Sequence, residues 1–149
     1  MASAQPRLRA VIPASGYGWA EHTADVELRL WAPSVRELFA EAGNAFAELA
    51  LGRGPYREPT SSRTLDVQAP DDGALLVELL NELLYRADAE HWFATRFGLV
   101  ELEPGRLRIL ARGHEELDLE APAKAATLHG VRIERAGDGG VRATVILDV

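Results

Sequence analysis

The chain has 149 residues, 47% of them hydrophobic and 26% charged, which is typical of one soluble globular domain. It contains no cysteine, so disulfides, thiolate metal sites and cysteine nucleophiles are excluded. Its formal net charge of -7 argues against nonspecific nucleic-acid binding, which needs a basic surface, and favours cations or a basic protein partner.

The N-terminal segment lacks the long apolar run of a membrane span or a signal peptide. Its apolar residues 10–12 are interrupted at once by Pro13. We therefore predict a flexible extension over residues 1–17 and a single domain over residues 18–149. We also expect a cytoplasmic protein with no membrane association.

Apolar–polar alternation predicts the strands, and an apolar period near 3.6 residues predicts the helices. The predicted elements are, in chain order, a strand Thr23–Trp31, a helix from Ser34 to Gly52, a strand Thr64–Ala69, a helix Gly73–Arg86, and strands Trp92–Glu103, Arg106–Gly113, Lys124–Glu134 and Val141–Val149. Two amphipathic helices and about six mostly antiparallel strands predict an α+β fold, a two-layer sandwich of sheet and helices.

The two predicted helices carry recognisable local signals. In the first, Ser34 is the expected N-cap, and Glu37 three residues later predicts a capping box. Gly43 lies inside this helix and suggests close packing on the sheet. In the second helix, Glu82 and Arg86 are spaced to form an ion pair one turn apart.

Two acidic positions lie at the ends of predicted strands. Asp25 is near the start of the first strand, and Asp148 ends the last one, followed by Val149 and its carboxylate. If these strands are neighbours, the three residues bring together oxygen donors that suit a hard cation. Both aspartates alternate with apolar residues and so face away from the core. Such residues are commonly only solvated, and the pattern leaves both interpretations open.

The remaining candidates for chemistry are isolated. The four histidines, His22, His91, His114 and His129, lack the paired spacing of a zinc site, and we interpret them as structural or surface residues. Lys124 lies among small apolar residues. It is either a surface lysine with its stem on apolar atoms or a half-buried cation beside a carboxylate.

Five segments together resemble the archease family in order and spacing. They are Glu21–Asp25, the helix from Ser34 through Phe46, Leu75–Tyr85, Lys124–His129 and Ile146–Val149. The resemblance extends from about Gly18 to Val149. The chain departs from the family at Leu79, where tryptophan is frequent, and at Leu128, where an aromatic residue is usual. We expect both leucines to pack.

The resemblance implies an accessory protein and not a self-sufficient enzyme. Archeases assist the GTP-dependent RNA ligase that joins tRNA halves and other broken RNAs by a 3′-phosphate route. They speed the loading of guanylate onto the ligase's active-site histidine, so RNA and GTP are met only through the ligase. The resemblance assigns a divalent metal, Ca²⁺ before Mg²⁺ or Mn²⁺, to Asp25, Asp148 and Val149, and it places Lys124 in the same functional patch.

Two other functions remain open from the residues. One is a metal-binding chaperone or interaction module without a role in catalysis, acting through exposed apolar surface. The other is a stand-alone metal-dependent hydrolase, which the lack of a histidine-rich metal site or an evident nucleophile disfavours.

Overall fold

The computed structural model describes residues 14–21 and 25–149. The elements are β1 (Gly16–Glu21), β2 (Asp25–Ala32), α1 (Val35–Leu51), β3 (Ser61–Gln68), α2 (Asp72–Glu90), β4 (Trp92–Glu103), β5 (Arg106–Glu115), β6 (Ala125–Arg135) and β7 (Val141–Asp148). Two helices with antiparallel strands confirm the predicted α+β fold. Neither helix of this described part is long and apolar enough to cross a membrane.

The strands form two antiparallel sheets, a division that the sequence pattern does not reveal. The four-stranded sheet has the order β1-β2-β7-β6, and the three-stranded sheet has the order β3-β5-β4. Helix α1 contacts β1, β2 and β7 of the first sheet and β4 of the second. Helix α2 contacts strands of both sheets as well, chiefly β6. The two helices therefore join both sheets around one apolar core.

Strand β1 was not among the predicted elements. It begins at Gly16, inside the segment predicted as an extension, and pairs Gly16 with Trp31 and Tyr17 with Leu30. Glycine is unfavourable in strands, which hides the pattern. The structure explains Gly16, because a Cβ there would lie 2.7 Å from the Trp31 ring. The rest of the predicted extension, residues 1–13, lies outside the described residues.

Helix α1 begins and ends where predicted. Ser34 is the N-cap, but its hydroxyl donates to the Glu37 carboxylate and caps no backbone group, so the predicted capping box is wrong in its hydrogen bonds. Gly52 ends the helix with φ of 79°, and its N–H donates to the Glu48 carbonyl at 2.8 Å. The predicted close packing at Gly43 is confirmed, because a Cβ there would lie 2.6 Å from the Phe97 ring of β4.

Helix α2 is longer than predicted and lies along the edge strand β6. Asp71 caps its start by accepting from the Ala74 N–H at 2.8 Å. The predicted Glu82–Arg86 ion pair is present at 2.8 Å. The helix continues to Glu90 and ends at His91, whose φ of 52° is left-handed. Its buried face consists of Leu75, Leu76, Val77, Leu79, Leu80, Leu83, Leu84 and Ala87.

The two departures from the family differ in their surroundings. Leu79 is fully buried, as expected. Leu128 is 62% exposed, so the expectation that it packs is wrong. The cause is an irregularity in β6, whose register with β7 shifts between Thr127 and Arg132 and contains Gly130 at a φ of 78°. A bulge of this kind turns side chains out of the alternating pattern.

Candidate functional site

Asp25 and Asp148 lie directly opposite each other on the adjacent antiparallel strands β2 and β7. The next pair along the ladder joins Val26 to Leu147, and Leu147 is buried. Because side chains alternate between the faces of a strand, the two aspartates share the face that points away from the core. The structure thus brings together two of the predicted site residues.

The environments of the two carboxylates differ. Asp148 is exposed, whereas Asp25 is only partly accessible. The Oδ1 atom of Asp25 is buried and has no hydrogen-bond partner among the described residues. A buried oxygen without a partner costs about 1–3 kcal/mol, so such atoms are rare and usually answer to a ligand, a water or an ion. The simple interpretation of Asp25 as a solvated surface residue therefore does not hold for this oxygen.

Lys124 lies just before β6, the strand that flanks β7 on the side opposite β2. Its backbone N–H donates to the Asp148 carbonyl at 2.8 Å, and Ala125 is the β6 partner of Asp148. The Lys124 side chain is exposed and makes no hydrogen bond or ion pair within the part of the chain that the structure describes. Of its two interpretations, the surface lysine applies. It is the only lysine in the sequence, where all other cationic side chains of the Lys and Arg type are arginines.

A residue of α2, Asn81, holds the strand that leads from Lys124. Its side-chain amide donates to the Ala126 carbonyl at 3.1 Å, and its Oδ1 accepts from the Ala126 N–H at 2.7 Å. One side chain thereby satisfies both backbone groups of an edge-strand residue. Helical periodicity places Asn81 on the polar side of α2, but periodicity does not identify an edge strand as its partner.

The oxygen donors of the predicted site are of the kind that hard cations prefer. Among residues 14–21 and 25–149, no three His, Cys, Asp or Glu side chains gather as metal ligands. Asp25 and Asp148 supply two carboxylates, and Val149, the third predicted ligand, is the exposed residue that follows β7. All of these donors are oxygens, which favours Ca²⁺, Mg²⁺ or Mn²⁺ over thiophilic metals. A cation would also give the buried Asp25 oxygen its missing partner.

The histidines contribute nothing to this site in the described residues. His91 Nδ1 contacts the Leu119 carbonyl at 3.0 Å. His114 is buried and its Nδ1 accepts from Arg57 at 3.3 Å. His129 is exposed on β6. These positions are structural or superficial, whereas His22 lies outside the described residues.

Comparison with known proteins identifies one family. Residues 17–149 match the model of the Archease protein family (MTH1598/TM1083). Protein archease of Methanosarcina acetivorans is 28% identical over 148 residues, covering 93% of this chain and 100% of the relative. Protein archease of Archaeoglobus fulgidus is 34% identical over 143 residues, covering 89% of this chain and 98% of the relative.

Solved structures show the same fold. The solution structure of Methanobacterium thermoautotrophicum protein 1598 is 27% identical, with a TM-score of 0.70 over 90% of this chain and 99% of that one. A Thermotoga maritima archease, described as a possible chaperone, matches with a TM-score of 0.62 at 24% identity, over 87% and 94% of the two chains, and shows the fold alone. Because the family model matches from the second residue of β1 to the final residue, the chain belongs to the archease family.

Proposed function

We propose that this protein is an accessory activator of a GTP-dependent RNA ligase in tRNA splicing or RNA repair. It promotes the loading of guanylate onto the active-site histidine of a ligase that uses 3′-phosphate ends, and it sustains repeated turnover. It is not an enzyme on its own, and it acts in the cytoplasm. Family membership supports the accessory role. The observation that carries a role for the acidic site is the unpartnered Asp25 oxygen opposite Asp148.

In this proposal, Asp25, Asp148 and the carboxylate of Val149 hold a divalent cation. Ca²⁺ is preferred because it tolerates irregular oxygen geometry, whereas Mg²⁺ demands a near-ideal octahedron; Mn²⁺ is the other alternative. When bound, the cation supplies positive charge that orients phosphates and balances charge during guanylate transfer. Asp148 and Val149 are exposed, with Val149 48% accessible, so the described residues leave this side of the site open toward a partner.

Lys124 has a separate task in the proposal. The Lys124 backbone is hydrogen-bonded to Asp148, which fixes the residue beside the aspartates. Its exposed ammonium has no carboxylate partner within the described chain. A free lysine ammonium is a mobile point charge that can contact a phosphate oxygen. Lys124 would therefore offer positive charge at the edge where the aspartates offer negative charge. The formal net charge of -7 makes direct binding of RNA to the rest of the surface unfavourable. The protein therefore contacts RNA and GTP only through the ligase.

The test is guanylylation of the full-length cognate ligase with GTP. Wild type should stimulate it, Asp25→Ala should lose the stimulation, and Glu103→Gln, which alters an exposed carboxylate on the β4–β5 hairpin of the other sheet, should keep it. Circular dichroism verifies that each variant is folded. Equal stimulation by Asp25→Ala would keep the partner and remove the acidic site from the mechanism. No stimulation by the wild type would refute the activator role.

A second experiment addresses the third donor. Residues added after Val149 convert its carboxylate into a peptide carbonyl and move the terminal negative charge away from the site. We expect such an extended protein to lose most stimulation while keeping its fold. Full activity of the extended protein would argue strongly against Val149 as a ligand.

A chaperone or interaction module is the alternative, and specific exposed residues favour it. Tyr85, Leu117 and Leu128 are large apolar side chains with 59%, 72% and 62% exposure. A chaperone acts through such surface, so it would retain its effect in Asp25→Ala and lose it when Leu117 and Leu128 become serine. Suppression of ligase aggregation by these variants separates the two functions.

A further inference from the structure

A groove lies beside the acidic site, between the C-terminal half of α2 and residues 120–124. Its volume is about 1020 Å³. We call it the α2 groove; its lining includes Tyr85, Asp88, His91, Glu120, Lys124 and Val149. Lys124 and Val149 line this groove and also belong to the proposed functional edge. We call that edge, formed by Asp25, Asp148, Val149 and Lys124, the metal edge. A partner that reaches the metal edge would pass over the groove.

Within the described residues, the charged side chains of the α2 groove are unpaired, unlike Glu82 and Glu90 on the same helix. Glu82 is paired with Arg86 at 2.8 Å, and Glu90 is paired with Arg63. In the part of the chain that the structure describes, the Asp88 carboxylate makes no ion pair or hydrogen bond.

The same is true of the other polar groups around Asp88. The Glu120 carboxylate, the Lys124 ammonium and the Tyr85 hydroxyl have no hydrogen-bond or ionic partner within the described residues. Several polar groups that converge on one groove without internal partners are free to be used by a ligand.

The groove also has a preformed apolar wall. Leu84 and Ala123 line the groove and are buried. Pro122 restricts the backbone of the lining segment 120–124. Asn81 also lines the groove and is fixed by its two bonds to Ala126. The Tyr85 ring is 59% exposed above this wall. An exposed aromatic face beside carboxylates suits the alkyl chain and charge of an arginine or lysine.

We propose that the α2 groove binds a cationic segment of the protein partner, with arginine or lysine side chains directed at Asp88 and Glu120. This inference rests on the proposed function, because the partner is taken to be the RNA ligase. Two side-chain carboxylates, of Asp88 and Glu120, oppose one ammonium in the groove, so the local charge of its side chains is negative, as is that of the whole chain. Opposite charge on the partner would speed encounter and fix the orientation of docking. RNA is a poor occupant because these carboxylates repel phosphates.

The experiment measures the affinity of the full-length ligase for the full chain at about 50 and about 200 mM salt. Asp88→Asn combined with Glu120→Gln should weaken binding about tenfold at the lower salt and flatten the salt dependence, mainly through slower association. The matched control combines Glu78→Gln with Glu103→Gln, which removes the same charge from exposed sites outside the groove. The control should bind within about twofold of wild type.

The outcomes separate this inference from the proposed function. Equal weakening in both double variants would reveal a general charge effect and overturn the groove. Unchanged binding by the groove variant would overturn it even when guanylylation is stimulated. A groove variant that changes self-association in sedimentation, and not ligase binding, would identify a second copy as the occupant and overturn it. Selective weakening without any stimulation by wild type would support the groove and refute the activator role.

Discussion

Asp25 and Asp148 face each other across the β2–β7 ladder, although they lie near opposite ends of the sequence. Two like charges at directly opposite positions of neighbouring strands destabilise the pair by roughly 0.2–1 kcal/mol. One of the four side-chain oxygens is also buried without a partner in the described chain. The pair is therefore an unfavourable arrangement for a purely structural role.

The first prediction is that Asp25→Asn stabilises the metal-free protein. Removal of one of two opposed charges should raise the free energy of unfolding by about 0.5 kcal/mol in the presence of a chelator. The same variant should lose stabilisation by Ca²⁺, which for wild type reaches about 2.7 kcal/mol at a hundredfold excess over the dissociation constant. Urea unfolding with chelator and with Ca²⁺ measures both effects.

The control for this prediction is Glu103→Gln, which removes one exposed carboxylate far from the pair. It should respond to Ca²⁺ as wild type does. A Ca²⁺ response that is equal in wild type and Asp25→Asn would show that the ion binds elsewhere or not at all.

The second prediction concerns the contact between α1 and β4. Gly43→Ala gains about 1 kcal/mol of helix propensity, but its methyl group would lie 2.6 Å from the Phe97 ring. Overpacking of this kind costs about 1–3 kcal/mol, so we expect net destabilisation in thermal unfolding. Phe97→Leu should rescue the variant, because a smaller side chain leaves room for the methyl group. A Gly43→Ala protein that is more stable than wild type would refute the tight contact.

The sequence predicted the local features because neighbours along the chain determine them. Alternation places Asp25 and Asp148 on the outer faces of their strands, and a glycine inside an amphipathic helix indicates close approach at Gly43. The adjacency of β2 and β7 is different, because alternation carries no information about which distant strands pair. Resemblance to a family, and not periodicity, supplied that link for the site.

The failures have equally specific causes. Strand β1 was missed because its outward positions include Gly16 and Gly18, which weaken a strand pattern. Leu128 was expected to pack because regular alternation does not anticipate the register shift around Gly130. The bonds of Asn81 to Ala126 could not be predicted, because a helical face does not specify an edge strand as its partner.

The third prediction tests the link between Asn81 and β6. Asn81→Leu leaves the N–H and carbonyl of Ala126 without their partners, so we expect a loss of about 1–3 kcal/mol in urea unfolding. Hydrogen exchange of the Ala126 amide should also accelerate, because this backbone bond is the one removed. Asn44→Leu is the matched control, since Asn44 is exposed and its side chain bonds only Glu41 among the described residues. Equal amide protection at Ala126 in wild type and Asn81→Leu would contradict the assignment.

The fourth prediction follows from the bond between β1 and α1. The Tyr17 hydroxyl donates to Glu48 at 3.1 Å, and burial together with this carboxylate raises the pKa of Tyr17 from 10.0 to about 12. A folded pKa above the ordinary value means that the neutral phenol stabilises the fold. That contribution is complete below about pH 10 and is lost as the pH rises through about 12.

Tyr17→Phe isolates this contribution. The difference in the free energy of unfolding between wild type and the variant should stay constant up to about pH 9 and shrink between about pH 10 and 12. Ultraviolet titration should follow the formation of the phenolates as the pH rises. The last phenolate that forms in wild type should be absent from Tyr17→Phe. A difference that is independent of pH over this range, or a Tyr17 phenolate that appears near pH 10, would mean that the phenol is neither buried nor bonded to Glu48 in solution.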